Sequence, residues 1–133
     1  MNSKPEADRY CFVCGTENPF GLKLTFSRSE GKVTSEFVPS PPYQGYRNRV
    51  HGGIIASVLD EAMIQAAATE GIPSVTAEIR VRFKRPLMID EETKIEAEIT
   101  RKSVRLLEAS ARMIHRRSGT IVAEASAKLL PVP

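Results

Sequence analysis

Residues 53–70 have the periodicity of a helix. Elsewhere in the chain, apolar and polar residues alternate with the two-residue period of β-strands. Its apolar residues recur three or four positions apart, and good helix formers dominate it until Gly71 and Pro73. A chain of 133 residues has room for a single core. The rest of the chain must therefore fold around this one helix.

Alternating apolar and polar residues predict about six strands, and the last four follow one another through short turns as in an antiparallel meander. The alternating stretches are 22–26, 33–37, 79–83, 95–99, 107–113 and 121–129. One face of such a sheet must be covered, and only the single helix can cover it. The predicted fold class is α+β, with an antiparallel sheet wrapped around one helix in a single domain over residues 10–133, after a loose tail at residues 1–9.

Composition excludes several classes of protein. Hydrophobic residues make up 41% and charged residues 26%, which is ordinary for a soluble globular chain. The net charge is only +3, and the basic residues are not clustered as they are in proteins that bind nucleic acids. No apolar run approaches the ~20 residues that a membrane span needs. The N-terminus lacks the apolar stretch of a signal peptide, so we predict a cytoplasmic location.

The two cysteines, Cys11 and Cys14, form a C-x-x-C pair. Such a pair supplies half of a tetrahedral zinc site, and the histidines, His51 and His115, are distant in sequence. We therefore favour a structural turn and predict no resident metal. Zinc binding and redox chemistry remain alternatives, as does a site pooled from two pairs in a symmetric dimer.

The helix carries acidic residues in two different settings. Ser57, Glu61 and Gln65 are spaced four apart and form a polar stripe, for which a structural role is the simpler interpretation. Asp60 falls instead among apolar neighbours, where a carboxylate is costly unless it is paired, protonated or functional. A structural partner and a functional role remain equally open for Asp60.

The helix is preceded by His51-Gly52-Gly53. Two glycines allow a ligand to approach the backbone closely, and free N–H groups at a helix N-terminus favour a developing negative charge. A carbonyl oxygen placed there would be polarised as in an oxyanion hole, with Asp60 about two turns further along. A simple glycine-rich helix entry is the alternative.

Residues 51–62, HGGIIASVLDEA, resemble the H-G-G-x6-D/E helix of hotdog-fold acyl-CoA thioesterases of the phenylacetic-acid-pathway (PaaI-like) and 4-hydroxybenzoyl-CoA types. Residues 11–22 resemble the N-terminal segment of one branch of that family, and residues 81–87 resemble its strand after the helix. The resemblance implies the hotdog fold, in which a curved antiparallel sheet wraps a long helix. It also implies homodimers, often paired into tetramers, with active sites between two subunits.

The activity implied by the resemblance is hydrolysis of an acyl-CoA to free acid and coenzyme A, with no cofactor besides the coenzyme A of the substrate. Asp60 would act as base or nucleophile, and the backbone N–H of Gly52, with Gly53 beside it, would polarise the carbonyl. Thr76 would help to hold the water from the facing subunit. The implied substrate-binding residues are Asn48, His51, Arg82, Lys84 and Arg85, and a solvated outer face is the alternative for the three basic ones.

Two other functions are compatible with the same fold, because a fold does not determine a function. A hotdog protein can bind acyl-CoA without hydrolysing it. A hydratase or dehydratase is less favoured, because no second motif supplies a histidine with an acid.

Overall fold

The computed structural model describes residues 7–29 and 31–132. Within them, helix α1 spans Gly52–Thr69, after a short 3-10 turn at Pro41–Tyr43. The strands of one six-stranded antiparallel sheet are β1 Ser27–Ser29, β2 Lys32–Phe37, β3 Ser74–Phe83, β4 Thr93–Lys102, β5 Leu107–His115 and β6 Ile121–Pro131. The predicted α+β class and the number of strands are confirmed. No helix in the described residues is long and apolar enough to cross a membrane.

The order of the strands differs from a simple meander. It is β1-β2-β4-β5-β6-β3, so that only β4, β5 and β6 follow one another as predicted. Strand β3 lies at the far edge, where Val81 pairs with Ala125 of β6. The connection over residues 84–92 therefore crosses from that edge towards β4. Leu87 is buried in this connection, and its carbonyl accepts the Val50 N–H at 2.9 Å just before α1.

The strand predicted at residues 22–26 is wrong, because pairing begins only at Ser27. Lys23 has a φ of 56°, in the left-handed region, which interrupts an extended backbone. The N–H groups of Leu22 and Leu24 donate to carbonyls of the N-terminal loop instead of to another strand. Residues 22–26 therefore alternate in burial although they do not form a strand.

The core lies between α1 and the concave face of the sheet. Seven residues of α1 are buried there: Ile55, Val58, Leu59, Ala62, Met63, Ala66 and Ala67. Strand β2 alternates exposed and buried residues without a break, and β5 alternates buried residues with less buried ones. Gly71, with a φ of 71°, lies just beyond the helix end, as the sequence predicted.

A loop over residues 8–26 packs against α1 on the side that the sheet leaves open. Val13 and Leu24 anchor this loop in the core. Most of the tail predicted at residues 1–9 lies outside the described residues, and the tail stays a prediction. At its end, the carbonyls of Asp8 and Arg9 accept backbone hydrogen bonds from within the loop.

Candidate active site

Asp60 and Thr76 meet at a half-exposed position between α1 and the start of β3. Thr76 Oγ1 donates to Asp60 Oδ1 at 2.6 Å. We expected Thr76 to act from the facing subunit, whereas the contact is made within one chain. The turn at residues 70–73 reverses the chain, and this reversal lays the first residues of β3 beside the second half of α1.

The surroundings of Asp60 are apolar, as the helical spacing predicted, but they do not enclose it. Met63 and Ala67 are buried, whereas Ala56, Ile64 and Asp60 itself are half-buried. Within the described residues, Asp60 Oδ2 makes no hydrogen bond. One oxygen is therefore fixed by Thr76, and the other stays available to a ligand.

The start of α1 offers one backbone donor. His51 is the N-cap residue, and its Nδ1 accepts the Gly53 N–H at 2.9 Å. A neutral His51 that accepts at Nδ1 carries its proton on Nε2. The Gly53 N–H is thus already bonded in this structure, and the catalytic role of Gly53 beside Gly52 stays a prediction. The Gly52 N–H has no acceptor in the part of the chain that the structure describes.

A groove of about 740 Å³ opens beside this helix start. Its lining includes Tyr46, Arg49, His51, Gly52, Ile55 and Phe83. Small-molecule sites typically measure about 300–1,000 Å³ and combine apolar walls with a few polar groups. The Gly52 donor therefore faces a space in which a small molecule fits.

The three basic residues of the β3 region do not lie together. Lys84 and Arg85 line the groove, where Lys84 Nζ lies 3.3 Å from a Glu124 oxygen and an Arg85 Nη lies 3.5 Å from a Glu91 oxygen. Arg82 lies on the outer face of the sheet, in a separate depression that Glu124 also lines. The structure therefore places two of the three predicted basic residues near Gly52.

Asn48 has a conformational role that its position in the sequence did not reveal. Its φ is 61°, which asparagine tolerates better than most residues, and its N–H donates to Gln44 Oε1 at 2.9 Å. Asn48 does not line the groove, but the next residue, Arg49, does. Sequence reasoning missed Arg49, although the cluster Arg47-Asn48-Arg49, one residue before His51, was a signal.

The connection that carries Lys84 and Arg85 is anchored by a contact between Glu91 and the buried His115. His115 Nε2 lies 2.7 Å from Glu91 Oε2, and His115 is 7% exposed. Burial alone would raise the pKa of Glu91, but hydrogen bonds from the Met88 N–H and His115, with the charge of Arg85, lower it below its usual value. Glu91 therefore stays ionised in this position at neutral pH.

The two cysteines lie apart from Asp60, against the polar stripe of α1. Both are free and half-buried, and their sulfur atoms contact the Glu61 carboxylate. Burial, a hydrogen bond with Cys11 and the charge of Glu61 raise the pKa of Cys14 to about 12. In the absence of a cation, the Cys14 thiol is therefore protonated at neutral pH and is a poor nucleophile.

Residues 48–124, more than half of the chain, match the family model of the thioesterase superfamily. The chain belongs to this superfamily. The match begins at the turn before α1 and ends in β6, so that it includes Asp60, Thr76 and most of the residues that line the groove. Among proteins with curated descriptions, no match was found.

Several solved thioesterases share the fold. Thioesterase superfamily member 2 from zebrafish has a TM-score of 0.80 at 19% identity, over 89% of this chain and 90% of that one. PaaI from the phenylacetic acid degradation operon of E. coli has a TM-score of 0.79 at 17% identity, over 84% and 81%. A hypothetical thioesterase from Streptococcus pneumoniae, solved with coenzyme A, has a TM-score of 0.78 at 14% identity, over 82% and 85%. These likenesses confirm the hotdog fold.

Two more crystal structures of the Streptococcus pneumoniae protein are of single alanine variants, one at an aspartate and one at a threonine. These two positions are 16 residues apart, the same separation as between Asp60 and Thr76.

Proposed function

We propose that this protein hydrolyses acyl-CoA thioesters to a free acid and coenzyme A. The observation that carries the proposal is the Asp60–Thr76 hydrogen bond of 2.6 Å on a half-exposed face of α1. A carboxylate that is oriented by a hydroxyl and keeps one oxygen free is suited to act on a water or a carbonyl carbon. The matching aspartate–threonine separation in the Streptococcus pneumoniae thioesterase supports this assignment.

The chemistry requires two groups at one carbonyl. In one route, Asp60 takes a proton from water as the water attacks the thioester carbon; in the other, Asp60 attacks that carbon and water then hydrolyses the anhydride. Both routes place negative charge on the carbonyl oxygen before the C–S bond breaks and coenzyme A leaves as its thiol. The Gly52 N–H, at the positive end of the helix dipole, stabilises that charge.

The helix itself indicates that one chain does not hold a whole site. Gly52 and Asp60 are eight residues apart, which separates them by about 12 Å along the axis. A donor and a base that serve one carbonyl must each lie within about 3 Å of the reacting atoms. We therefore assign Gly52 of one subunit and the Asp60–Thr76 pair of another to each site.

Strand β3 supplies the surface for such a dimer. It is a ten-residue edge strand with one sheet neighbour, and it exposes Val75, Ile79 and Phe83 by 45%, 37% and 54%. A long apolar edge of this kind favours pairing with another strand. Since Phe83 also lines the groove, pairing of two β3 strands would bring a second chain next to Gly52. We propose a homodimer built on this edge, with pairs of dimers as the resemblance implies.

The groove supplies the contacts that coenzyme A needs. Arg49, Lys84 and Arg85 give it three positive charges for the phosphates, and Phe83 and Ile55 give it apolar surface. Arg49 makes no ion pair among the described residues, so it is the most accessible of the three cations. The coenzyme A in the Streptococcus pneumoniae neighbour supports this ligand class.

The test of the activity is steady-state hydrolysis of a panel of acyl-CoAs by the wild type, Asp60→Asn and the control Glu70→Gln. Glu70 lies at the end of the same helix and pairs with Lys102. We expect Asp60→Asn to lose about 10²-fold or more in kcat, and Glu70→Gln to keep wild-type turnover. Full activity in Asp60→Asn would contradict the proposal. Acyl-CoA binding by the wild type without turnover would instead support the non-catalytic alternative.

The test of the dimer is sedimentation of Ile79→Lys beside Val104→Lys. Both positions are exposed, by 37% and 94%, but Val104 lies in the turn between β4 and β5. We expect Ile79→Lys to be monomeric and inactive, and Val104→Lys to stay dimeric and active. A fully active Ile79→Lys monomer would show that one chain suffices.

A further inference from the structure

Cys11, Cys14 and Glu61 converge on the side of α1 away from Asp60, and we propose that they bind one Zn²⁺ ion per chain. One ligand atom from each of the three residues lies within 4.8 Å of the others. All three residues are half-buried, so the site is reachable from solvent and shielded from it on one side. The proposed hydrolysis does not require this metal.

The spacing of the ligand atoms is that of a tetrahedral zinc site. Zinc bonds of about 2.3 Å to sulfur and about 2.0 Å to oxygen, at the tetrahedral angle, separate a sulfur from an oxygen by roughly 3.5 Å. Cys14 Sγ lies 3.5 Å from Glu61 Oε2, and Cys11 Sγ lies 3.9 Å from Glu61 Oε1. The two distances end on different oxygens of the Glu61 carboxylate, and the three ligand atoms lie within 4.8 Å of one another, so a zinc ion can bond both sulfur atoms and one oxygen after side-chain shifts.

The loop is built to hold the two sulfur atoms in place. The Cys14 N–H points to Cys11 Sγ at 3.4 Å, a donor that offsets the charge of a thiolate. Gly15 follows directly, and a Cβ at that position would lie 2.4 Å from the Arg9 carbonyl oxygen. The loop can therefore close around Cys11 only if residue 15 is glycine.

A second layer of side chains orients the carboxylate. Gln65 Nε2 donates to Glu61 Oε2 at 2.8 Å and lies 3.8 Å from Cys14 Sγ. The Arg28 guanidinium, which can only donate, bonds Gln65 Oε1. Arg28 thereby turns the amide nitrogen of Gln65 towards the ligands. Gln65 is then a positioning residue, and its amide oxygen is not a ligand.

The chemistry of the ligands selects the metal. Two thiolates with one carboxylate match zinc, whereas calcium and magnesium prefer oxygen alone. On binding, the two thiols release their protons to solvent, and the Glu61 carboxylate contributes one oxygen. A water molecule completes the tetrahedron, since three ligands come from the chain.

The experiment is metal analysis of protein purified without a histidine tag from zinc-supplemented medium, in the wild type, Cys14→Ser, Glu61→Gln and the control Glu70→Gln. We expect about one zinc per chain in the wild type and the control, and loss of most of the zinc from the two site variants, each of which lacks one ligand. Circular dichroism identifies any variant that fails to fold, and Glu61→Gln keeps both thiols if Cys14→Ser does not fold.

Cobalt substitution gives an independent measurement. Co²⁺ in the wild type should show thiolate-to-metal charge-transfer absorption and the visible bands of a tetrahedral ion, both weakened by Glu61→Gln. No metal in the wild type, an intramolecular disulfide in freshly purified protein, or zinc retained in both site variants would overturn the proposal. A zinc content of half an ion per chain that Glu61→Gln does not change would also overturn the proposal. It would indicate that the thiolates of two subunits bind one shared ion.

Discussion

Helix α1 carries two acidic side chains in succession, and the fold gives them opposite surroundings. Asp60 faces the β3 edge, is bonded by one hydroxyl and, among the residues that the structure describes, keeps one oxygen without a partner. Glu61 points about 100° further around the helix, beneath the N-terminal loop, where two sulfur atoms and Gln65 surround it. Both are half-buried, but the free oxygen of Asp60 is available to a ligand from outside, which we call the open side, whereas the Glu61 carboxylate is contacted by side chains of its own chain, which we call the enclosed side. Adjacent residues on one helix can thus serve different chemistry.

The strongest test of the open side is Gly52→Pro compared with Gly52→Ala. Proline removes the N–H but suits the first residue of a helix, and His51, with φ −62° and ψ 133°, has the extended conformation that precedes proline. The added Cβ would lie 3.5 Å from the Phe83 ring, an ordinary contact. We expect kcat to fall by about 10²–10³-fold in Gly52→Pro and little in Gly52→Ala. An equal fall in kcat in the two variants would show that the Gly52 N–H does not contribute to catalysis.

Co-expression of Gly52→Pro and Asp60→Asn chains tests which subunit supplies each group. If each site combines Gly52 of one chain with Asp60 of the other, a mixed dimer keeps one intact site. Random pairing should then restore about a quarter of wild-type activity. No restoration in verified mixed dimers would show that both groups act from the same chain.

On the enclosed side, Gln65→Ala should weaken zinc binding by about 10–100-fold, because an outer-shell partner orients the ligating carboxylate. Competition with a chromophoric chelator measures this affinity, with Glu70→Ala at the end of the same helix as the control. An unchanged affinity would show that Glu61 is oriented without Gln65.

Thr76→Val tests how far the open carboxylate depends on its hydroxyl. The substitution preserves shape and β-propensity but removes a hydrogen bond to a charged group, so we expect kcat to fall by about tenfold. Thr100→Val, at an exposed position in β4, is the matched control. An unaffected kcat would restrict Thr76 to a structural role.

Glu91 is a third carboxylate, with which Asp60 and Glu61 can be compared. It contacts His115 and the Met88 N–H of its own chain, and it faces no proposed ligand. Its lowered pKa means that the pair stabilises the fold above the unfolded-state value of about 4.5 and that this contribution is lost as pH falls through the folded-state pKa. We expect Glu91→Gln to lower the free energy of unfolding by about 1 kcal/mol at pH 7 and by less at pH 3. Urea denaturation at both pH values measures this difference, and a pH-independent difference would exclude ionisation as its cause.

Sequence periodicity predicted the helix and most strands because burial repeats locally along each element. It could not place β3 beside β6, because that pairing joins residues about 45 positions apart, such as Val81 and Ala125. The environment of Glu61 was missed for the same reason: its sulfur neighbours lie 50 and 47 residues earlier in the chain. The polar stripe was recognised, but a pattern within one helix carries no information about which loop covers it.

Within the chain, the place of β3 at the sheet edge also sets the order in which the site can assemble. Thr76 lies on a strand whose one sheet neighbour is β6, and β6 begins 38 residues after β3 ends. During synthesis, α1 and β3 therefore leave the ribosome well before the strand that fixes them. At 5–20 residues per second, β3 would wait roughly 2–10 s for β6. We therefore expect the Asp60–Thr76 pair to form late in folding, although its two residues are close in sequence.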